Sequence, residues 1–125
     1  WREFLTEDWR DTSWEDDGEK ITIGQVDDYL GDKTIDVAPL DVRDQVLKSR
    51  GKDRLPTTSQ DRIDKADLSF PIIVAMEGGE YISVLDGNHR LQRAVDENKP
   101  LKAKVLDLDN PETPENFKKM FGGAG

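Results

Sequence analysis

A chain of 125 residues and 14.2 kDa is the size of one domain, and it buries roughly two-thirds of its unfolded surface, enough for one modest core. Its 18 Lys+Arg against 27 Asp+Glu leave a net charge of −9, which repels a nucleic-acid backbone and excludes a general DNA-coating role. The lack of cysteine excludes disulfides, thiolate metal sites and thiol nucleophiles, and a single histidine, His89, excludes a multi-histidine zinc site.

Residues 1–20 form an arm holding all three tryptophans. Trp1, Phe4, Leu5 and Trp9 recur at helical spacing, with Trp14 further on, among acidic, arginine and small polar residues. Such an arm docks its rings on the domain or anchors a protein partner. The domain itself is expected over 21–110. Ile21-Thr22-Ile23 is β-branched and predicts a short strand, with Gly24 to Leu30 a turn and one helical turn ended by Gly31. Asp36 to Lys48 predicts a helix. Pro39 comes early in it, Val42, Val46 and Leu47 share a face, and Gly51 stops it. Residues 51–67 are polar and contain Pro56, the composition of a mobile connection with one helical turn near Arg62–Ala66.

From Leu68 the pattern tightens. Phe70 to Met76 is a buried-strand run with Pro71 near its start, Glu77-Gly78-Gly79-Glu80 a hairpin turn, and Tyr81 to Leu85 the return strand. Asp86-Gly87 breaks that strand, and Asn88 to Glu97 predicts a helix with Leu91, Ala94 and Val95 inward. Leu101, Ala103 and Val105 alternate with lysines as a further strand, and the alternation slips by one to Leu106 and Leu108, the signature of a bulge. Residues 111–125 predict a terminal helix and a Gly-rich tail, with Thr113 as N-cap, Pro114 first and Gly122 the stop. The order is α+β. No apolar run approaches the ~20 residues that span a bilayer and no signal peptide is present, so a cytoplasmic protein without membrane contact is expected.

The chemistry concentrates in Asp86-Gly87-Asn88-His89-Arg90, with Arg93 one turn on. A strand hands the chain to a glycine turn and a helix starts at once, so its first amides carry the positive end of the dipole. Gly87 lets a ligand oxygen approach the backbone, while Asn88, His89, Arg90 and Arg93 add donors and positive charge. These are the parts of a phosphate cradle. Asp86 is the candidate Mg²⁺ ligand, and Asp86 and His89 are the candidate catalytic groups. Each has a plainer role: Gly87 turning the chain, Asp86 or Asn88 capping the helix, Arg93 pairing with Glu97.

The segment DGNHRLQRA, preceded by the hairpin FPIIVAMEGGEYISVL, resembles the signature of the ParB/sulfiredoxin superfamily over about residues 68–108. The resemblance implies a small mixed sheet with a β-hairpin, a phosphate-binding turn and a helix, flanked by further helices. Gly87, His89 and Arg90 fall on that family's phosphate-binding turn, and Asp86-Gly87 matches the Asp-Gly of its free-serine kinases. Departures narrow the choice. Asn88 stands where sulfiredoxin needs cysteine, so sulfinic acid repair is excluded. His89-Arg90 replaces a pair of arginines of chromosome-partitioning ParB, and 125 residues leave no room for that protein's DNA-binding domain and dimerisation tail. The kinase branch uses an upstream acid, for which Asp27, Asp28 and Asp36 all qualify.

The leading expectation is therefore binding of a nucleotide, ATP or CTP, with Mg²⁺-dependent hydrolysis or transfer of a phosphate. A second is a phage- or plasmid-type nuclease or DNA base-modifying transferase. It would use a basic track of Arg50, Lys52, Arg54, Lys99, Lys102 and Lys104. A third is a non-catalytic acidic inhibitor, with the tryptophan arm as its contact.

Overall fold

Ile72-Ile73-Val74-Ala75 is a run of four apolar residues, so a strand built from it has no side that tolerates water. All four are at most 2% exposed. Covering both faces of this strand dictates the architecture. The computed structural model describes residues 12–16, 18–57 and 59–122, and Trp1, Phe4, Leu5 and Trp9 of the arm lie outside them. Among the described residues the chain runs β1 (Ser13–Asp16), β2 (Glu19–Thr22), α1 (Ile23–Leu30), β3 (Ile35–Val37), α2 (Pro39–Arg50) and α3 (Gln60–Asp64). There follow β4 (Ile72–Glu77), β5 (Glu80–Asp86), α4 (Asn88–Glu97), β6 (Leu101–Asp107) and α5 (Glu115–Phe121).

The main sheet has the order β3-β6-β4-β5, with β4 parallel to β6 and the other pairs antiparallel. Ile73 and Ala75 of β4 pack with Ile21, Val26, Leu106, Phe117 and Phe121 beneath the β1–β2 hairpin, α1 and α5. Ile72 and Val74 point the other way, into a cluster with Val42, Val46, Leu91, Ala94 and Ala103 under α2 and α4. The fold is thus α+β in three layers. Among the described residues no helix is long and apolar enough to cross a membrane.

Several local expectations change for physical reasons. The strand containing Ile21 ends at Thr22, because Thr22 and Gln25 close a capping box. The Gln25 amide donates to Thr22 Oγ1 at 3.2 Å and the Thr22 amide to Gln25 Oε1 at 2.7 Å, so Ile23 already belongs to α1. Asp36 is not helical. It lies in the edge strand β3 opposite Lys102, whose ammonium donates to it at 2.7 Å, and α2 starts at Pro39. Thr113 does not cap α5. It is buried, its hydroxyl donates to the Asp107 carbonyl at 2.6 Å, and Pro114 takes the cap position.

The alternation in β6 does not slip either. Its pairing with β4 runs one-to-one from Ala103 to Asp107. Leu101 and Ala103 serve the α2–α4 core, and Leu106 and Leu108 serve the opposite one. The register shifts occur instead in the β4–β5 hairpin, whose turn residues Gly78 and Gly79 have φ of 64° and 79°, as primed two-residue turns require. The polar connection 51–67 carries α3, and Leu55 and Ile63 anchor it by burial.

Leu91 is fully buried and fastens α4 to the sheet. Leu91→Ala is expected to lower unfolding free energy by about 2–5 kcal/mol, measured by urea denaturation with the m-value unchanged.

Candidate functional site

Strand β5 delivers Asp86, and Gly87 turns the chain into α4 with φ 107°. The glycine is obligatory. A Cβ there would lie 2.5 Å from Ile72 Cγ2 and 3.0 Å from Arg90 Nη2, and the backbone conformation is one that side chains resist. As N-cap residue Gly87 contributes no side-chain hydrogen bond, and the Leu91 amide donates to its carbonyl at 2.9 Å. Neither Asp86 nor Asn88 occupies the cap position. The start of α4 thus keeps its positive dipole end without an acidic cap.

A groove of about 580 Å³ opens at this helix end. One wall is Asp86, Gly87, Asn88, His89 and Arg90. The other is the connection, with Pro56, Arg62, Lys65 and Ala66. Four of the five predicted phosphate-binding residues, Gly87, Asn88, His89 and Arg90, therefore line one space. Arg93 does not. Its Nε donates to Glu97 Oε2 at 2.7 Å and its Nη1 to the Ala66 carbonyl at 2.6 Å, so it fastens the connection to α4. The hydrogen bonds from Arg93 and then Lys99 hold the Glu97 carboxyl below its ordinary pKa.

Arg62 and Lys65 were not foreseen as site residues. They sit three apart on and just after α3, whose start Ser59 caps by accepting from the Arg62 amide at 3.2 Å. The only sequence signal was that spacing within a polar stretch. Lys65 meets Asp61 at 3.1 Å, but both are largely exposed, and such pairs contribute little. His89 is pushed below its ordinary pKa of 6.5, first by partial burial, then by the positive charges of Arg62 and Arg90. Both effects favour the neutral ring.

Asp86 and Arg90 form the partition between this groove and a second cavity of about 400 Å³. Arg90 Nη2 donates to Asp86 Oδ2 at 2.9 Å and to the Pro71 carbonyl at 3.1 Å, while its Nε is buried without a partner. The second cavity is further walled by Phe70, Pro71, Ile73, Asp27 and Lys104. Lys104 projects from β6 and donates to Asp27 Oδ1 of α1 at 2.5 Å, with both side chains under a fifth exposed. Of the three upstream acids, Asp27 is thus the one that shares a cavity with Asp86, and Asp36 stands exposed at the sheet edge.

Of the proposed basic track, Arg50, Lys52 and Arg54 are exposed and the three lysines lie beside carboxylates. Lys99 meets Glu97 at 3.0 Å, Lys102 meets Asp36 and Lys104 meets Asp27. Among the described residues no group of three or more His, Asp or Glu is placed to hold a metal ion. Any cation at Asp86 would take its remaining ligands from a bound phosphate. No protein-family model matches this chain, and neither a curated protein nor a solved structure matches it.

Two outcomes are expected. Gly87→Ala should cost roughly 2–5 kcal/mol, the sum of backbone strain and the collision with Ile72, in chemical denaturation. His89 takes up its proton more readily when unfolded. Stability should therefore fall as pH drops through and below 6.5, and the difference from His89→Gln across that window measures its share.

Proposed function

We propose that this chain binds a nucleoside triphosphate, ATP or CTP, by its phosphates at the start of α4, and cleaves or transfers a phosphate with Mg²⁺. One observation carries the reading. A chain of net charge −9 gathers Arg62, Lys65, His89 and Arg90 around a helix N-terminus capped by glycine. Focused positive charge of this kind is selective for a compact polyanion.

In this reading phosphate oxygens accept hydrogen bonds from the backbone amides beyond Gly87, at the start of α4. Arg62 and Lys65 neutralise charge from the facing wall. Arg90 is largely committed to Asp86 and Pro71, so it positions the turn and adds its field. Asp86 is the side chain that would help hold a Mg²⁺ brought in with the nucleotide, and the ion would supply positive charge against that built up in phosphoryl transfer. His89 lines the same groove and is the group placed to gain a proton, because a bound polyanion offsets the Arg62 and Arg90 charges that, after burial, lower its pKa.

The nucleic-acid reading loses support from the paired lysines, since neutralised ammonium groups release few counterions on a duplex.

A thermal-shift screen with ATP, CTP, GTP and pyrophosphate, with and without Mg²⁺, should show stabilisation by at least one triphosphate. Changing Arg62 and Lys65 together to Ala should weaken that binding about tenfold or more without lowering the unliganded melting temperature, since neither supports a core. Unchanged affinity in this variant would overturn the assignment of the seat. Affinity should also rise from pH 8 to pH 6 more steeply in the wild type than in His89→Gln, with titration calorimetry registering the extra proton uptake.

A further inference from the structure

The phosphate seat uses one side of the Asp86–Arg90 partition and leaves the cavity on the other side unexplained. That cavity has about 400 Å³, within the range of sites that enclose a small organic ligand. Its walls are of two kinds. Phe70, Pro71 and Ile73 are apolar, and Phe70 is 59% exposed, unusual for a phenylalanine in a chain with only four. The polar side is the Asp27–Lys104 pair, held in a setting where an aliphatic side chain on β6 would pack at lower desolvation cost.

The rim that presents Phe70 is fixed. Asp67 accepts from the Ser69 amide at 2.9 Å and the Ser69 hydroxyl at 2.7 Å, the Phe70 amide donates to the Asp67 carbonyl, and Arg90 holds the Pro71 carbonyl. An exposed ring carried on a hydrogen-bonded backbone offers a face for stacking. A flat heterocycle that combines an aromatic face with hydrogen-bonding edges matches both walls. Asp86 and Arg90 line both spaces, so a molecule with a planar ring in one and a phosphate tail in the other would lie across this pair.

We infer that this cavity receives the nucleobase of the nucleotide, stacked on Phe70, with its edge toward Lys104 and Asp27. The inference rests on the phosphate reading of the adjoining groove. It assigns Phe70 as an affinity determinant that acts on the base and not on the phosphates.

The test is titration calorimetry on the full chain with tripolyphosphate, ATP, CTP, adenosine and cytidine, using wild type, Phe70→Ala and Phe70→Trp. Melting curves check that the exposed substitutions leave the fold intact. The expected result is that ATP or CTP binds wild type about tenfold or more tightly than tripolyphosphate, the scale of one base-aromatic stack. Phe70→Ala should erase that advantage, Phe70→Trp should keep it, and tripolyphosphate should bind all three equally. If tripolyphosphate binds but the triphosphates gain nothing over it, or Phe70→Ala leaves their advantage intact, the base site is overturned and the phosphate seat stands. If a nucleoside binds through Phe70 while tripolyphosphate does not bind, the base site stands and the phosphate reading falls. Absence of binding by all five overturns both.

Discussion

The contact of Gly87 with Ile72 is the constraint from which the rest of the site follows. Ile72 is fully buried in β4 and belongs to the core beneath α2 and α4. Only a residue without a side chain can pass over its Cγ2, and only a residue tolerant of positive φ can then turn directly into α4. The same choice leaves the helix start with no capping side chain. Core packing and a helix start without a capping side chain are thus two results of one close approach.

Charge is paired unevenly over the surface. Lys102 meets Asp36, Lys104 meets Asp27 and Arg93 meets Glu97 at short range. At the groove Arg90 meets Asp86 at 2.9 Å and Lys65 meets Asp61 at 3.1 Å. Arg62 and Lys65 face His89 and Arg90 across it, and partial burial, then Arg62 and Arg90, lower the His89 pKa. Asp86 answers only part of this positive charge and is itself tied to Arg90. On a chain of net charge −9, cations gathered along one groove set up a local field opposed to the general one.

How far the sequence disclosed this depends on what each signal encodes. The β4–β5 hairpin and α4 were legible because Gly78-Gly79, the apolar run before them and the inward Leu91 and Ala94 are local signals that agree with the tertiary outcome. The two-faced character of β6 was misread as a slip, since Leu106 and Leu108 make sense only once a second layer covers that face. β3 was invisible: three residues with two exposed positions have no periodicity, and the strand exists through pairing with β6. In the site, Gly87 to Arg90 stood out because they are contiguous. Arg62 and Lys65 arrive from a distant segment, and only Leu55, Ile63 and the Arg93 bond to Ala66 bring them opposite. Arg93 looked like a ligand because sequence spacing cannot tell a side chain that faces a groove from one that clasps a neighbouring loop.

The geometry at Gly87 also bears on how such a pocket diversifies. Its floor is welded to the hydrophobic interior, so adjustments there compromise folding before they alter recognition. The facing bank, built from a short helix riding on two apolar anchors, carries no comparable burden. New specificities in descendants of this scaffold would arise on that bank, while the floor stays as it is.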